Sequence, residues 1–198
     1  MQAQQILQRL GPPQGGVFSK ADLQTALADP HPTQFARDVR ELEAGGVVRR
    51  FTRGWYVTAD FDLPTLCQRL APDSYVSLET VLARALWIGP KPTRSIAAVK
   101  TGKSRVYEGL GYRVEHLHVA PHLHFGFETD DRGVKLATPE KALLDMFYFH
   151  QRGRRYTVDI FSDVQPVNLD TDRFKFYLSR YRNPKFVTFV RKVLRDHD

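Results

Sequence analysis

A chain of 198 residues with 42% hydrophobic and 12% aromatic residues can bury a real core, which excludes wholesale disorder. Its single cysteine, Cys67, excludes a disulfide framework and a cysteine-based zinc site within one chain. The net charge of +7 favours phosphate backbones or an acidic partner and is silent about fold.

No apolar run is long enough to span a bilayer, and the opening MQAQQILQRL lacks the basic start and apolar core of a signal peptide. A cytoplasmic protein with no membrane partner is the expectation. The charge is unevenly placed. Residues 1–62 balance seven Lys and Arg against seven Asp and Glu, residues 63–150 carry eleven against nine, and residues 151–198 carry eleven against six.

Ile6, Leu7 and Leu10 predict a short first helix ended near Gly11 and two prolines. Ser19 reads as the N-cap of a second helix, with Asp22 three residues on and Leu23, Ala26 and Leu27 behind it. The DPHP stretch breaks it. Thr33 reads as the cap of a third helix, TQFARDVRELEAGG, in which Phe35, Val39 and Leu42 fall at i, i+4 and i+7 on one face. Gly45 and Gly46 end it. VVRRFTRGWYV, residues 47–57, then reads as a hairpin whose tight turn needs Gly54.

Three short helices followed by a hairpin is the order of a winged helix-turn-helix, with the third helix as the reading element. At about 100° per residue, Thr33, Arg37 and Arg40 fall opposite the apolar stripe, with Gln34 and Glu41 beside them. Arg37 and Arg40 can reach guanine edges or phosphates, and Gln34 can reach adenine. Glu41 and Glu43 would repel phosphate, so the N-terminal half of the helix is expected in the groove. On the hairpin, alternation puts Arg49 and Arg50 on opposite faces, and Thr52 and Arg53 occupy the tip. The expected order of backbone or minor-groove contact is Arg53, then Arg50, then Arg49. A helical domain used only for protein contacts is the bland alternative.

FDLPTL reads as a joint near residues 60–66. In YVSLETVLARALWIG, Ser77 is expected to cap a helix carrying Leu78, Val81, Leu82, Ala85 and Leu86 inward, stopped by Gly89, Pro90 and Pro92. Residues 95–136 change to short strands: SIAAV, SRVYE, YRVEHLHV, LHFGFE and VKLAT. Thr138 then caps PEKALLDMFYFH, with Pro139 at its first position, a helix apolar nearly all round and therefore buried on a sheet.

Three patterns in this stretch resemble chemistry. TGKS at 101–104 resembles the end of a phosphate loop, but Ala97 stands where glycine is required and a strand follows. The two HLH triplets, 116–118 and 122–124, have the spacing of paired metal ligands on a strand, but read as ordinary strand histidines. Glu140, Lys141 and Asp145 suit a helix dipole and an i,i+4 pair better than catalysis. No nucleophile–base pair is visible, so the expectation is no enzyme, no metal and no cofactor.

The tail carries RGRR at 152–155, giving Arg152, Arg154 and Arg155. A helix from Asp170 or Thr171 turns Phe174, Tyr177, Leu178 and Tyr181 inward and Arg173, Lys175 and Arg180 outward. After Pro184 another helix turns Phe186, Phe189, Val190, Val193 and Leu194 inward and leaves Arg191, Lys192 and Arg195 toward solvent. This cationic surface reads equally as a solvated face or as a dock for DNA or an acidic protein. The fold class is therefore α+β: an N-terminal winged helix-turn-helix over 1–62, then a mixed α/β domain over 63–198 whose C-terminal helices, 151–198, form a basic tail.

RRFTRGWYV, APDSYVSLETVLARALWIG, FGFE and KLATPEKALLDMFYF together resemble the AbiEi-type antitoxins of type IV toxin–antitoxin systems, over roughly residues 15–150. The resemblance implies a bifunctional protein. Its winged domain would bind double-stranded operator DNA of its own operon, typically an inverted repeat, and repress it. Its second domain would oppose a cognate toxin of the nucleotidyltransferase superfamily. Arg37, Arg40, Arg50 and Arg53 carry over as DNA contacts, and the antitoxin role maps only beyond about residue 63. The chain is short for that family at its C-terminal end, so a stand-alone winged-helix regulator without a toxin partner is the alternative.

Overall fold

A computed structural model describes residues 11–27, 31–90 and 93–195. The chain is mixed α and β, with a three-stranded sheet near the N-terminus and a six-stranded sheet after it. The expected first helix, at Ile6, Leu7 and Leu10, lies outside the described residues.

β1 (Val17–Ser19) runs directly into α1 (Lys20–Leu27). The junction closes reciprocally: Asp22 N–H donates to Ser19 Oγ at 3.1 Å and Ser19 N–H donates to the Asp22 carboxylate at 2.6 Å. α2 (Pro32–Ala44) follows, then β2 (Arg49–Thr52) and β3 (Trp55–Val57). The sheet order is β1-β3-β2, all antiparallel, so β2 is an edge. Strand β1 has no counterpart in the sequence reading.

This small sheet is a wall between two cores, because alternation sends successive side chains to opposite faces. Phe18 and Tyr56 join Leu23, Phe35, Val39, Leu42 and Val48 under α1 and α2. Val17, Phe51 and Val57 join the larger core of the rest of the chain.

The expected joint at residues 60–66 is instead mostly helix, α3 (Leu63–Leu70). Asp62 caps it by accepting from Thr65 N–H at 2.8 Å, and Pro64 sits in the first turn, where a missing N–H costs nothing. The segment after it also departs from expectation. Tyr75–Val76 is strand β4, and α4 spans only Glu79–Arg84. Ser77 does not cap it, because its hydroxyl donates to Asp145 at 2.8 Å. Leu78 stands at the helix start with φ 57°, and Leu86, expected inward, is 82% exposed.

β5 (Ser95–Lys100), β6 (Arg105–Gly109), β7 (Tyr112–His118), β8 (Phe127–Thr129) and β9 (Lys135–Ala137) complete a sheet of order β6-β7-β5-β4-β9-β8. β5 runs parallel to β7 and β4 parallel to β9; the other pairs are antiparallel. The second HLH triplet is not a strand: residues Pro121–Leu123 form a 3-10 turn. α5 (Pro139–His150) is capped by Thr138, which accepts from Lys141 N–H at 3.3 Å, and is buried along most of its length. α6 (Thr171–Leu178), capped by Asp170, and α7 (Pro184–Arg195) pack on α5. Among the described residues no helix is long and apolar enough to cross a membrane.

Candidate nucleic-acid interface

α2 buries Phe35, Val39 and Leu42 and exposes Thr33, Gln34, Arg37 and Arg40. Burying each of the three apolar side chains stabilises the docked helix by about 1.5–3 kcal/mol, which fixes what the other face presents. Thr33 is not the cap. The helix begins at Pro32, whose ring is preset for the first helical position, with His31 as N-cap. Thr33 thus stands on the exposed first turn. Gln34 donates to Asp38 at 2.7 Å, and Arg37 pairs with Glu41 at 3.3 Å with both side chains about 70% exposed. Such exposed i,i+4 pairs hold by about 0.3–0.5 kcal/mol, so either group can exchange its partner for an incoming phosphate. The first turn has no acidic residue, while Glu41 and Glu43 lie in the last turn and a half.

Cross-strand partners share a face. Arg50 pairs in register with Tyr56, on the face that covers α1 and α2, and Arg49 pairs with Val57, on the face toward the larger core. Both are exposed because β2 is an edge strand. A bulge at Phe51 follows, after which Thr52 pairs with Trp55. Arg53 is exposed at the turn beside Gly54, whose φ of 80° suits glycine. The Gly54 carbonyl accepts from Lys20 N–H at 2.8 Å, tying the hairpin to the start of α1. Tyr56 packs under α1 and α2, and Trp55 packs on the other face, where the Arg69 guanidinium lies 5.6 Å from its ring centroid.

The tail cations divide. Arg155, Lys175, Arg191 and Lys192 are exposed. Arg152 lies 3.8 Å over the Tyr148 ring, and Arg180 lies 4.7 Å over the Phe125 ring. Arg154 turns inward and is half-buried, donating to Glu115 at 2.8 Å, so its charge is already matched within the protein. Arg195 ends α7, and its side chain lies outside the described residues.

The groups with the look of chemistry occupy structural places. Lys141 and Asp145 are fully buried and paired. Lys141 Nζ also donates to Tyr181 at 3.1 Å, and Asp145 accepts from Tyr75 at 3.0 Å. Burial pushes the Lys141 ammonium below its ordinary value, and the Asp145 charge opposes this. Burial, then Asp145, pushes both tyrosines well up. Lys141 and Asp145 are closed off from solvent, and the cluster braces α5 against β4 and the segment that carries Tyr181. Tyr75, Ser77 and Tyr181 carry no local signal of this role, because they meet Asp145 and Lys141 only across the fold. Glu140 is buried beside Arg173 at 3.7 Å. His116 is buried with its Nε2 3.0 Å from the Cys67 carbonyl, and burial lowers its pKa. TGKS forms the bend between β5 and β6, where Ser104 Oγ accepts from His118 N–H at 2.9 Å. Among the described residues no three His, Cys, Asp or Glu gather as a metal site.

Two arginines that sequence reasoning did not single out join the N-terminal elements to the rest. Arg69 on α3 donates to Asp22 and to the Val17 carbonyl, and Arg132 donates to Asp62 at 2.8 Å.

No protein-family model and no curated protein matches the chain. Among solved structures it is similar to the RV2827C protein from Mycobacterium tuberculosis, with a TM-score of 0.65 at 15% sequence identity, over 98% of this chain and 76% of that one. The likeness is one of fold.

Proposed function

We propose that the protein is a DNA-binding transcriptional autorepressor and the antitoxin of a nucleotidyltransferase-type toxin. In this reading residues 1–62 are a winged helix-turn-helix, α2 enters the major groove, and the β2–β3 hairpin is the wing. Residues 63–198 form the antitoxin-like part. The observation that carries the DNA half is the exposed set Thr33, Gln34, Arg37 and Arg40 on a helix whose opposite face is anchored, beside a hairpin that exposes Arg50 and Arg53. Cations on a rigid frame can hold register on a duplex without reordering. The antitoxin half rests on the sequence resemblance and on the cationic tail.

The deciding experiment is binding of the purified protein to the duplex immediately upstream of its own gene, across roughly 50 to 200 mM salt. Tight, competitor-resistant binding that weakens steeply with salt is expected. Absence of binding at low salt, or equal displacement by unrelated duplex, overturns the repressor half. The antitoxin half is read separately, by relief of growth arrest when the protein is co-expressed with a nucleotidyltransferase encoded beside it. Operator binding without relief leaves a stand-alone regulator.

A further inference from the structure

α6, α7 and the segment before them enclose a groove of about 890 Å³. α6 lines it with Thr171, Phe174, Lys175 and Leu178, which stand at i, i+3, i+4 and i+7. α7 lines it with Val187, Val190, Arg191 and Leu194, the same spacing. Two helices thus turn matching two-turn stripes toward one space. Phe174, Leu178 and Val190 are buried at its base, while Val187 and Leu194 are half-buried and Val167 at its edge is 58% exposed. Apolar surface held open in this way is a site for a partner.

Charge identifies the occupant. Lys175 and Arg191, at the equivalent i+4 position of each stripe, are exposed at the groove, and among the described residues no acidic side chain lines it. A guest with basic flanks is repelled. A stripe of period i, i+3, i+4, i+7 on both walls accepts a third helix with the same period, as in helix-in-groove recognition. The two cations then require acidic residues on each side of the guest's apolar face.

We propose that the α6–α7 groove docks an acidic amphipathic helix of a partner protein. This deepens the antitoxin half of the proposed function and rests on it: the helix is taken to be the toxin's. The test uses a defined probe, a two-turn-or-longer fluorescent helical peptide with a leucine stripe at i, i+3, i+4 and i+7 flanked by glutamates, and a twin flanked by lysines. The full chain should bind the glutamate peptide at least tenfold more tightly than the lysine twin. The double variant Lys175→Glu/Arg191→Glu should reverse that preference; both side chains are exposed, so the fold is retained. Val187→Asp should weaken the glutamate peptide at least tenfold, with helical circular dichroism unchanged. Equal binding of the two peptides, or a preference that the double charge reversal leaves intact, overturns the proposal. Peptide binding with no relief of toxicity overturns the antitoxin reading and leaves the groove in place, so the two failures are distinguishable.

Discussion

Arg69 on α3 donates to the carboxylate of Asp22, the residue that closes the start of α1. The same guanidinium donates to the Val17 carbonyl and lies over the Trp55 ring. One side chain from the larger part of the chain therefore holds a helix start, a strand and the hairpin of the smaller part. Asp22 and Arg69 are each about a quarter exposed, so the pair is shielded from salt more than a surface pair. Arg69→Ala should cost about 1–3 kcal/mol in a denaturant melt, and a melt unchanged within error would show that the contact is incidental.

The same pair sets an acid limb. Burial opposes ionisation of Asp22, but the Ser19 hydrogen bonds and Arg69 outweigh it and hold the carboxyl below its ordinary value. A carboxylate depressed on folding contributes stability that is complete above its unfolded pKa, about 3.9, and is lost as pH falls through the folded value. Wild-type stability should therefore drop below about pH 4, and Asp22→Asn should flatten that part of the profile. A profile that Asp22→Asn leaves equally steep would place the acid sensitivity elsewhere.

Much of this frame was legible in local pattern. The Ser19–Asp22 cap, the stripe of α2, and the Thr138–Pro139 start of α5 are signals written within four residues, and they form as read. What pattern could not supply are features fixed by distant partners. Strand β1 has three residues and exists because it pairs with β3, about 40 positions on. Ser77 looks like a cap until Asp145, 68 residues away, takes its hydroxyl. Thr33 loses the cap to its own neighbour, since Pro32 already fits the first turn. At the candidate interface, the sequence placed the cations on their elements and Arg49 and Arg50 on opposite faces, and the register of β2 with β3 then showed which core each face is turned to.

That register predicts unequal arginines. Arg53→Ala should weaken binding to every duplex alike and lower the log–log salt slope by about 0.9, one phosphate contact. Arg37→Ala should cost about 1–3 kcal/mol on the operator and relax specificity at one base pair. Arg50→Ala should weaken binding more than Arg49→Ala, because Arg49 lies on the face of the larger core. Arg53→Ala with unaltered affinity and slope would take the hairpin off the DNA.

The Lys141–Asp145 pair predicts a non-additive series. Lys141→Met leaves a buried carboxylate unpaired and should cost about 3–5 kcal/mol. Lys141→Met/Asp145→Leu removes both charges and should recover a large part of that loss, with the interaction read from a double-mutant cycle. Burial and Asp145 raise the Tyr75 and Tyr181 values, so their contribution is complete below about pH 10 and is lost as pH rises through the folded values. Tyr181→Phe should accordingly shift alkaline unfolding to higher pH. Additive single losses would show that the two charges do not depend on each other.

Gly109 ends β6 where that strand meets β2 of the smaller sheet. A Cβ there would overlap the Phe51 carbonyl, and its next neighbours are the Phe51 carbonyl carbon and ring. The obstacle is the backbone of β2 at its bulge, which cannot turn aside as a side-chain end would. Gly109→Ala must therefore push the two sheets apart at the seam where Phe51 enters the larger core. The expected cost is about 1–3 kcal/mol, in the range of core overpacking. Gly89 is the control, since nothing lies within 4 Å of a Cβ built on it. Gly89→Ala should melt like the wild type, while Gly109→Ala should melt earlier and bind operator more weakly as the hairpin loses its support. Coincident melts of the two variants would show that the sheets are not held together at Gly109.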